Sequence, residues 1–462
     1  MLKAPAQYSI APVAQKEIPQ TKGWPLVGSL PQMVKDPFAF VANARETYGD
    51  IYTLNLGLSK VVVLNHPRHA QYILRDNARN YHKGGPLWDA VRDMLGNGLV
   101  VSEGDFWLRQ RHMMQPQFHR QRIAALTTLM VEAIGGVLDT WEKTAESGED
   151  FNIAPAFDRI TMSVILKTMF GTALNAQEMD EAAEAMTIGL NYVMQGTVTH
   201  PLPDWMPLPG KKRYQQAMAR FDELVYRIIS ECRRGEGEEN HLLAMMLDVV
   251  DEETGEGMTD EQLRDEIATL FLAGYETTSI TLSWAMYYLG QNPELMAKLR
   301  AEVDEALGDR LPTVADLRNL PYTQMVIQES MRLRPPSYWL PRTAAEADEI
   351  DGYHIPAGTN VVSLTYMYHH HPEHWDNPAE FDPERFTPEN SAQRHKFAFV
   401  PFGAGQRMCI GRDFAMMEGQ LALAMVMQRF VVTAVPGHIT KPQLTSTLRP
   451  KGGVMVNLAK RT

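Results

Sequence analysis

Residues 402–411 read FGAGQRMCIG, and an apolar stretch with helical spacing follows them from residue 414 to residue 430. The run begins with Phe402, and its glycines at 403, 405 and 411 permit a close backbone approach to a flat or bulky group. Cys409 falls at the entrance of the predicted helix, where the positive end of the helix dipole stabilises a thiolate. Such a thiolate is a good ligand for iron, and the positive charge of Arg407 suits a carboxylate on the same ligand.

These residues have two other interpretations. A lone cysteine is more often a small buried apolar residue than a ligand. A glycine-rich turn before a helix can also bind a dinucleotide, but Met408 stands where the third glycine of that fingerprint belongs. The run instead resembles the haem-binding loop of the cytochrome P-450 family, Phe-x-x-Gly-x-Arg-x-Cys-x-Gly, at every fixed position. The resemblance implies haem b, with Cys409 as the axial iron ligand and with Phe402 and Arg407 beside the haem.

A second stretch, AGYETT at residues 273–278, lies in a segment that stays compatible with a helix from Asp260 to about Gly290. Thr259 and Gln262 resemble a capping box at its start, and at 1.5 Å per residue the helix would be about 45 Å long. Taken alone, AGYETT is ordinary helix with a mildly unfavourable glycine. A glycine and a threonine together can also open a groove for a small ligand. The resemblance implies that Gly274 lies at the haem, that the ligand is dioxygen, and that Glu276 and Thr277 organise the protons that split it.

Further family patterns follow in the expected order along the chain. Glu329 and Arg332 match the Glu-x-x-Arg motif, and Arg385 in FDPERF resembles the third member of the same buried network. We assign these three a structural role, although most such pairs are solvated surface features. The resemblance implies haem propionate contacts for three other residues, whose indole and guanidinium donors suit a carboxylate: Trp107, Arg111 and Arg342. The alternative is a surface helix with basic residues.

The histidines of HHHPEHWDNP suggest a zinc site at first sight: His369, His370, His371 and His374. Their tight spacing and Pro372 make a closed tetrahedral site hard to build from this segment alone. The segment also resembles the family's His-x-x-Pro-x-x-Trp stretch. We therefore do not predict a metal there.

The composition limits the partners and the compartment. A formal charge of −12 makes nucleic acid an unlikely ligand, because phosphate recognition needs a basic footprint. Two cysteines are too few for a disulfide framework, although a pairing of Cys232 with Cys409 stays open. We find neither a secretory signal nor an apolar run of spanning length. We expect a cytoplasmic protein with no integral membrane segment, acting as a monomer.

The predicted fold class is mainly α with a smaller β part. Residues 120–310 have helical spacing, and HPLPDWMPLPG at residues 200–210 predicts a loop. We expect a loosely ordered tail over residues 1–22 and one cytochrome P-450 domain over residues 23–462. The resemblance implies a long central helix that crosses the domain, with the haem between it and the cysteine loop. Four strand-like segments are predicted nearer the two ends: residues 51–56, 61–64, 360–364 and 453–458.

The resemblance implies a mono-oxygenase that inserts one atom of dioxygen into a hydrophobic small molecule, by hydroxylation or epoxidation. Fatty acids, terpenoids, steroids and polyketides are all possible substrates. Electrons would come from a separate ferredoxin or flavodoxin with an NAD(P)H-dependent reductase, and a basic face around Arg109, Lys396, Arg407 and Arg412 could attract that partner. Two alternatives stay open: a peroxide-driven peroxygenase, and a haem- or lipid-binding protein without turnover. Residues 84–101, 190–209, 270–278 and 337–340 are the predicted pocket walls.

Overall fold

A computed structural model describes residues 16–57, 59–171, 175–199, 209–236, 241–251 and 253–461 of the chain. Helices dominate it, and small sheets lie near the two ends of the sequence, which confirms the predicted fold class. The predicted loop at residues 200–210 lies outside the described residues except for Pro209 and Gly210, which form a turn. The helices before and after it end at Thr199 and begin at Lys211.

Within the described residues the α-helices are α1 (Leu30–Lys35), α2 (Pro37–Tyr48), α3 (Pro67–Gln71), α4 (Pro86–Leu95), α5 (Gly104–Met114), α6 (Arg120–Ala125), α7 (Thr127–Ser147), α8 (Ile153–Phe170), α9 (Ala176–Thr199), α10 (Lys211–Arg233), α11 (Leu242–Leu247), α12 (Asp260–Gln291), α13 (Pro293–Leu307), α14 (Pro321–Leu333), α15 (Thr365–His369), α16 (Pro388–Gln393) and α17 (Arg412–Arg429). None of these described helices is long and apolar enough to cross a membrane.

The strands are β1 (Ile51–Asn55), β2 (Lys60–Leu64), β3 (Tyr81–His82), β4 (Asp150–Asn152), β5 (Leu340–Ala344), β6 (Asp348–Ile350), β7 (Tyr353–Ile355), β8 (Asn360–Ser363), β9 (Phe430–Ala434), β10 (Pro442–Leu444), β11 (Leu448–Pro450) and β12 (Met455–Lys460). The largest sheet has the order β1-β2-β8-β5-β3, and β12 lies between β4 and β9 in a second one. All four strands predicted from the sequence are present, with ends shifted by one or two residues.

Helix α12 begins at the predicted capping box. The hydroxyl of Thr259 accepts the N–H of Gln262, and the side chain of Gln262 accepts the N–H of Thr259. This exchange satisfies two amides that the first turn would otherwise leave unpaired. The helix then runs through the core and packs against α8, α14 and α17. It is buried around most of its circumference, as expected of a helix that crosses a domain.

The predicted tail lies partly outside the described residues. Its last part is described and is hydrogen bonded: the N–H of Lys16 donates to the carbonyl of Gly352 at 3.1 Å, and the N–H of Thr21 donates to the carbonyl of Thr53 at 2.9 Å. Residues 16–22 therefore pair with the sheet region before the predicted domain start at residue 23.

Candidate active site

The loop that carries Cys409 is closed by its own backbone. The N–H of Cys409 donates to the carbonyl of Phe402 at 2.9 Å, and the N–H of Met408 donates to that of Gly405 at 3.2 Å. Gly405 has φ +67°, and a Cβ atom added there would lie 1.9 Å from the carbonyl oxygen of Leu74. This glycine is therefore required because the loop packs tightly on the chain at Leu74.

Cys409 lines a cavity, and its side chain is accessible. Burial raises the pKa of this thiol, while the N–H of Gly411 and the positive charges of Arg111, Arg412 and Lys83 lower it. Thiolate ligation needs the deprotonated form, so these groups act in the direction that ligation requires. Cys232 is also free, so the two cysteines do not pair.

Four cationic side chains line the same cavity: Lys83, Arg111, Arg342 and Arg407. Burial and the charge of Arg407 together lower the pKa of Arg342 to about 10. Burial together with the charges of Arg342 and Arg407 also holds the pKa of Lys83 well below its usual range. A buried cluster of like charges is costly unless an anion is bound among them.

Arg407 lies at the centre of this cluster. Its Nη2 atom is 2.5 Å from the Glu103 carboxylate and donates to the carbonyl of Ser102 at 2.8 Å. Its guanidinium lies 3.9 Å from the centre of the Trp107 ring. The Nη1 atom is buried and has no hydrogen-bond partner among the described residues. Four cations face one carboxylate, so enough positive charge is left unneutralised to bind the two propionates of a haem. The unpaired Nη1 of Arg407 is a donor for one of these propionates.

The α12 face above the loop contains Gly274 and Thr277, which both line the cavity. The hydroxyl of Thr277 donates to the carbonyl of Ala273 at 2.9 Å. A Cβ atom added at Gly274 would lie 2.8 Å from Cδ1 of Ile165 on α8. The glycine therefore allows α12 and α8 to pack closely at this level, and α12 stays helical through it.

Glu276 follows Gly274 on the same helix, but its carboxylate contacts Arg449 and Thr447 and does not line the cavity. Its carboxylate accepts from Nε of Arg449 at 2.8 Å and from the hydroxyl of Thr447 at 2.9 Å, and it is buried. Arg449 also lies 3.4 Å from Asp158. Glu276 and Thr277 are thus adjacent in sequence but are not brought together, and the proton role of Glu276 stays a prediction.

The three residues assigned a structural role, Glu329, Arg332 and Arg385, lie close together in the structure. Nε and Nη2 of Arg332 donate to the two oxygens of Glu329 at 2.6 and 2.7 Å, and both side chains are fully buried. Nε of Arg385 lies 3.5 Å from the same carboxylate. Arg332 further donates to the carbonyl of His369 at 3.1 Å. This network links α14 to the segment that precedes the cysteine loop.

The cavity has a volume of about 360 Å³. Three of the four predicted walls contribute to it, and the side chains of residues 194–208 in the fourth lie outside the described set. Its walls are mostly apolar, and they include Leu74, Trp88, Leu99, Phe118, Ile165, Leu270, Ala273, Ile327, Met331, Trp339 and Phe402. A cavity with an iron ligand at one wall, carboxylate-binding cations beside it and apolar walls elsewhere suits a haem and an apolar substrate.

The sequence profile of the Cytochrome P450 family matches residues 18–458. The chain belongs to the cytochrome P450 family. This P450 is 35% identical over 440 residues to cyclooctat-9-en-7-ol 5-monooxygenase from Streptomyces melanosporofaciens, covering 94% of this chain and 93% of that protein. It is 30% identical over 441 residues to pentalenene oxygenase from Streptomyces avermitilis, covering 95% and 96%. The crystal structure of the cytochrome P450DA heme domain matches it with a TM-score of 0.86 at 27% identity, covering 97% and 98%.

As a member of this family, the P450 is a mono-oxygenase whose cofactor is haem b. Cys409 would bind the haem iron, and Arg111, Arg342, Arg407 and the Trp107 indole would lie toward the propionates.

Sequence analysis missed three residues of this site. Lys83 and Glu103 lie in stretches with no motif, and no local signal identifies them. Arg449, in LRPKGG, lies 173 residues from its partner Glu276. A buried ion pair over that separation has no signature in a single sequence.

Proposed function

We propose that this P450 inserts one atom of dioxygen into a cyclic terpenoid, by hydroxylation or epoxidation. The observation that carries the proposal is the position of the Cys409 sulfur, which faces a largely apolar cavity beside α12. The terpenoid class is supported by relatives of about 35% identity that are terpenoid hydroxylases. The names of two relatives refer to cyclooctat-9-en-7-ol and to pentalenene.

The walls of the cavity favour a compact hydrocarbon. Trp88, Leu99, Leu270 and Trp339 present rigid or branched apolar surfaces, so an apolar ligand would displace poorly bound water. Once the cations are occupied by the cofactor, the polar groups left in the lining are short hydroxyls, such as those of Thr269 and Thr278, and the Trp88 indole. The site of oxygenation would therefore be set mainly by shape.

When bound, haem b supplies the iron and electron chemistry that activates dioxygen, and the thiolate favours cleavage of the O–O bond. The protein supplies the ligand, a dry cavity and a proton. The Thr277 hydroxyl is our candidate for the source of that proton, because it lines the cavity on α12 and its oxygen is free to accept from water while it donates to Ala273. In this proposal Glu276 has a secondary role behind Thr277, because its carboxylate is bound by Arg449 and Thr447.

Electrons would come from a separate ferredoxin or flavodoxin with its NAD(P)H-dependent reductase. Of the basic residues suggested for docking, Lys396 is exposed, whereas Arg407 faces the inner cavity and is unsuited to that role. Arg109 is 3.3 Å from Asp251, which reduces its free charge. We expect Lys396→Glu to slow reduction by the partner at low salt, with Lys35→Glu on α1 as the charge-matched control. Equal reduction rates in both variants would exclude the surface around Lys396 as the docking site of the redox partner.

The experiment that tests the proposal is a spin-state titration of the haem-loaded protein, followed by turnover. The ligands would be cyclic sesquiterpenes and diterpenes, a long-chain fatty acid, a steroid and a macrolide. We expect a spin-state shift and product only with the terpenes, when ferredoxin, reductase and NADPH are present. Product from another class would reject the terpenoid assignment. Product from hydrogen peroxide alone at an equal rate would favour a peroxygenase, and absence of product with every ligand that shifts the spin state would favour a binding protein.

The proposal includes a single domain from residue 23 onward that acts as a monomer in the cytoplasm. Size-exclusion chromatography and cell fractionation test the last two points directly.

A further inference from the structure

A cluster of histidines lies outside the active site, where the β2–α3 connection meets the segment after α15. His66 immediately precedes α3, and Glu373 and His374 follow α15. These side chains are brought together although His66 and Glu373 lie 307 residues apart in sequence. The HHHPEHW segment cannot build a tetrahedral site alone, and His66 is the ligand that it lacks.

The distances suit a metal ion. Nε2 of His66 lies 3.4 Å from Oε2 of Glu373, and the edge of a zinc tetrahedron with bonds of 2.0–2.1 Å is about 3.3 Å. One nitrogen or oxygen from each of His66, Glu373 and His374 lies within 4.8 Å of the others. Nε2 of His374 is buried and has no hydrogen-bond partner among the described residues. A buried imidazole nitrogen without a partner is an available ligand atom.

The charges around the cluster are compatible with a cation. The positive groups nearby are paired: Arg68 with Asp351 at 2.7 Å, and Arg45 with Asp50 at 2.7 Å. Nη2 of Arg45 also lies 2.6 Å from Nε2 of His371, so we leave His371 out of the ligand set.

One contact opposes binding. Nδ1 of His66 accepts the N–H of Arg68 at 3.2 Å and so caps α3. A metal on Nε2 would place the ring proton on Nδ1, and this cap would be lost. We therefore expect micromolar rather than nanomolar affinity.

We propose that His66, Glu373 and His374 form a site for a divalent transition ion of the zinc type, with water in the fourth position. Two imidazoles and one carboxylate favour zinc over magnesium or calcium. The ion would fix the segment of residues 369–375 to the start of α3. That segment also holds the cysteine loop, because Nε2 of His369 accepts the N–H of Val400 at 3.0 Å. Bound metal should therefore stabilise the fold near the haem.

The test uses the haem-loaded, full-length protein after treatment with EDTA. Zinc chloride would be titrated by calorimetry, with magnesium chloride as the control ion, and the melting temperature would be measured with and without zinc. We expect one zinc equivalent, a higher melting temperature that EDTA reverses, and no response to magnesium. The zinc absorption edge should report two imidazole ligands.

His66→Asn is the most informative variant, because asparagine can still cap α3 but cannot supply an imidazole. We expect His66→Asn and His374→Gln each to weaken zinc binding at least tenfold. His119→Ala removes an exposed histidine that makes no capping contact, so it should bind zinc like the unmodified protein. Zinc affinity unchanged in His66→Asn and His374→Gln, with melting temperatures near that of the unmodified protein, would overturn the proposal. An equal loss of stoichiometric zinc binding in His119→Ala would also overturn the proposal.

Discussion

The guanidinium of Arg407 lies 3.9 Å from the centre of the Trp107 ring, with Glu103 at 2.5 Å on another side. The stacking orients the guanidinium and leaves its Nη1 atom directed into a buried space without a partner. This arrangement is what a haem propionate requires, and it explains why an arginine two residues before the cysteine belongs to the site.

Replacing Arg407 by leucine should accelerate haem loss. The substitution removes a donor to the propionate and leaves the Glu103 carboxylate without its charged partner, so we expect haem transfer to a scavenging apoprotein to be about tenfold faster or more, corresponding to at least about 1.4 kcal/mol. The control is Arg109→Leu on α5, whose ion pairs with Asp251 and Glu256 lie outside the cavity lining. Equal haem loss in the two variants would remove Arg407 from the cofactor site.

Thr277→Ala should separate oxygen consumption from product formation. Without the hydroxyl the cavity loses the proton donor that we assign to oxygen activation, so we expect coupled product to fall about tenfold, while NADPH oxidation continues and peroxide accumulates. Thr277→Ser keeps the hydroxyl and should retain most coupling. Unchanged coupling in the alanine variant would show that Thr277 has no part in oxygen activation.

Glu276→Gln should have a smaller effect than Thr277→Ala. The amide oxygen of glutamine can still accept from Arg449 and Thr447, and the carboxylate is directed away from the cavity. The measurement is coupled turnover at equal haem content. A loss as large as that of Thr277→Ala would mean that Glu276 leaves Arg449 during turnover and carries a proton itself.

Glu329→Gln should destabilise the haem-side core. The substitution leaves the fully buried Arg332 without its anion, and removing one partner of a buried pair costs about 3–5 kcal/mol. We expect a lower melting temperature and poor haem incorporation. The matched control is Arg213→Gln, which breaks an ion pair with Glu184 between two exposed side chains and should change little. Comparable losses in both variants would contradict a special role for the buried pair.

Glu266 should make stability depend on pH. Burial raises its pKa to about 8, and one carboxylate oxygen accepts the N–H of Leu99 at 3.0 Å. The folded protein keeps this proton to about pH 8, whereas the unfolded chain loses it near pH 4.5, so the contribution of Glu266 to the free energy of unfolding falls as the pH rises between these values.

The comparison is the melting temperature of the unmodified protein and of Glu266→Gln between pH 5 and 9. Glutamine cannot ionise, so the variant should gain in relative stability as the pH rises, by at most about 1.4 kcal/mol per pH unit. Parallel profiles over the whole range would contradict an elevated pKa at this position.

Local signals in the sequence were sufficient for much of the fold. The capping box at Thr259 and Gln262 and the periodicity after it predicted α12 almost to its ends, because both signals depend on neighbours within a few turns. Strands such as β2 and β8 followed from short apolar runs, but their parallel pairing between Val62 and Val361 could not be predicted, because pairing depends on the whole topology.

Residues of the site could be predicted only where they belong to a sequence motif. The cysteine loop and the Glu329–Arg332 pair have fixed spacings, whereas Lys83 and Arg449 reach the active-site region through tertiary contacts that leave no local pattern. The histidine cluster shows the same limit. The segment around His374 was visible in the sequence, but His66 had nothing to distinguish it until the fold brought the two together.

The carbon monoxide spectrum of the reduced, haem-loaded protein tests the central claim most directly, together with the same spectrum for Cys409→Ser. The account predicts the absorption of a thiolate-ligated haem in the unmodified protein and its loss in the serine variant, with turnover lost as well. A histidine-type spectrum in the unmodified protein, or a serine variant that keeps both spectrum and turnover, would contradict it.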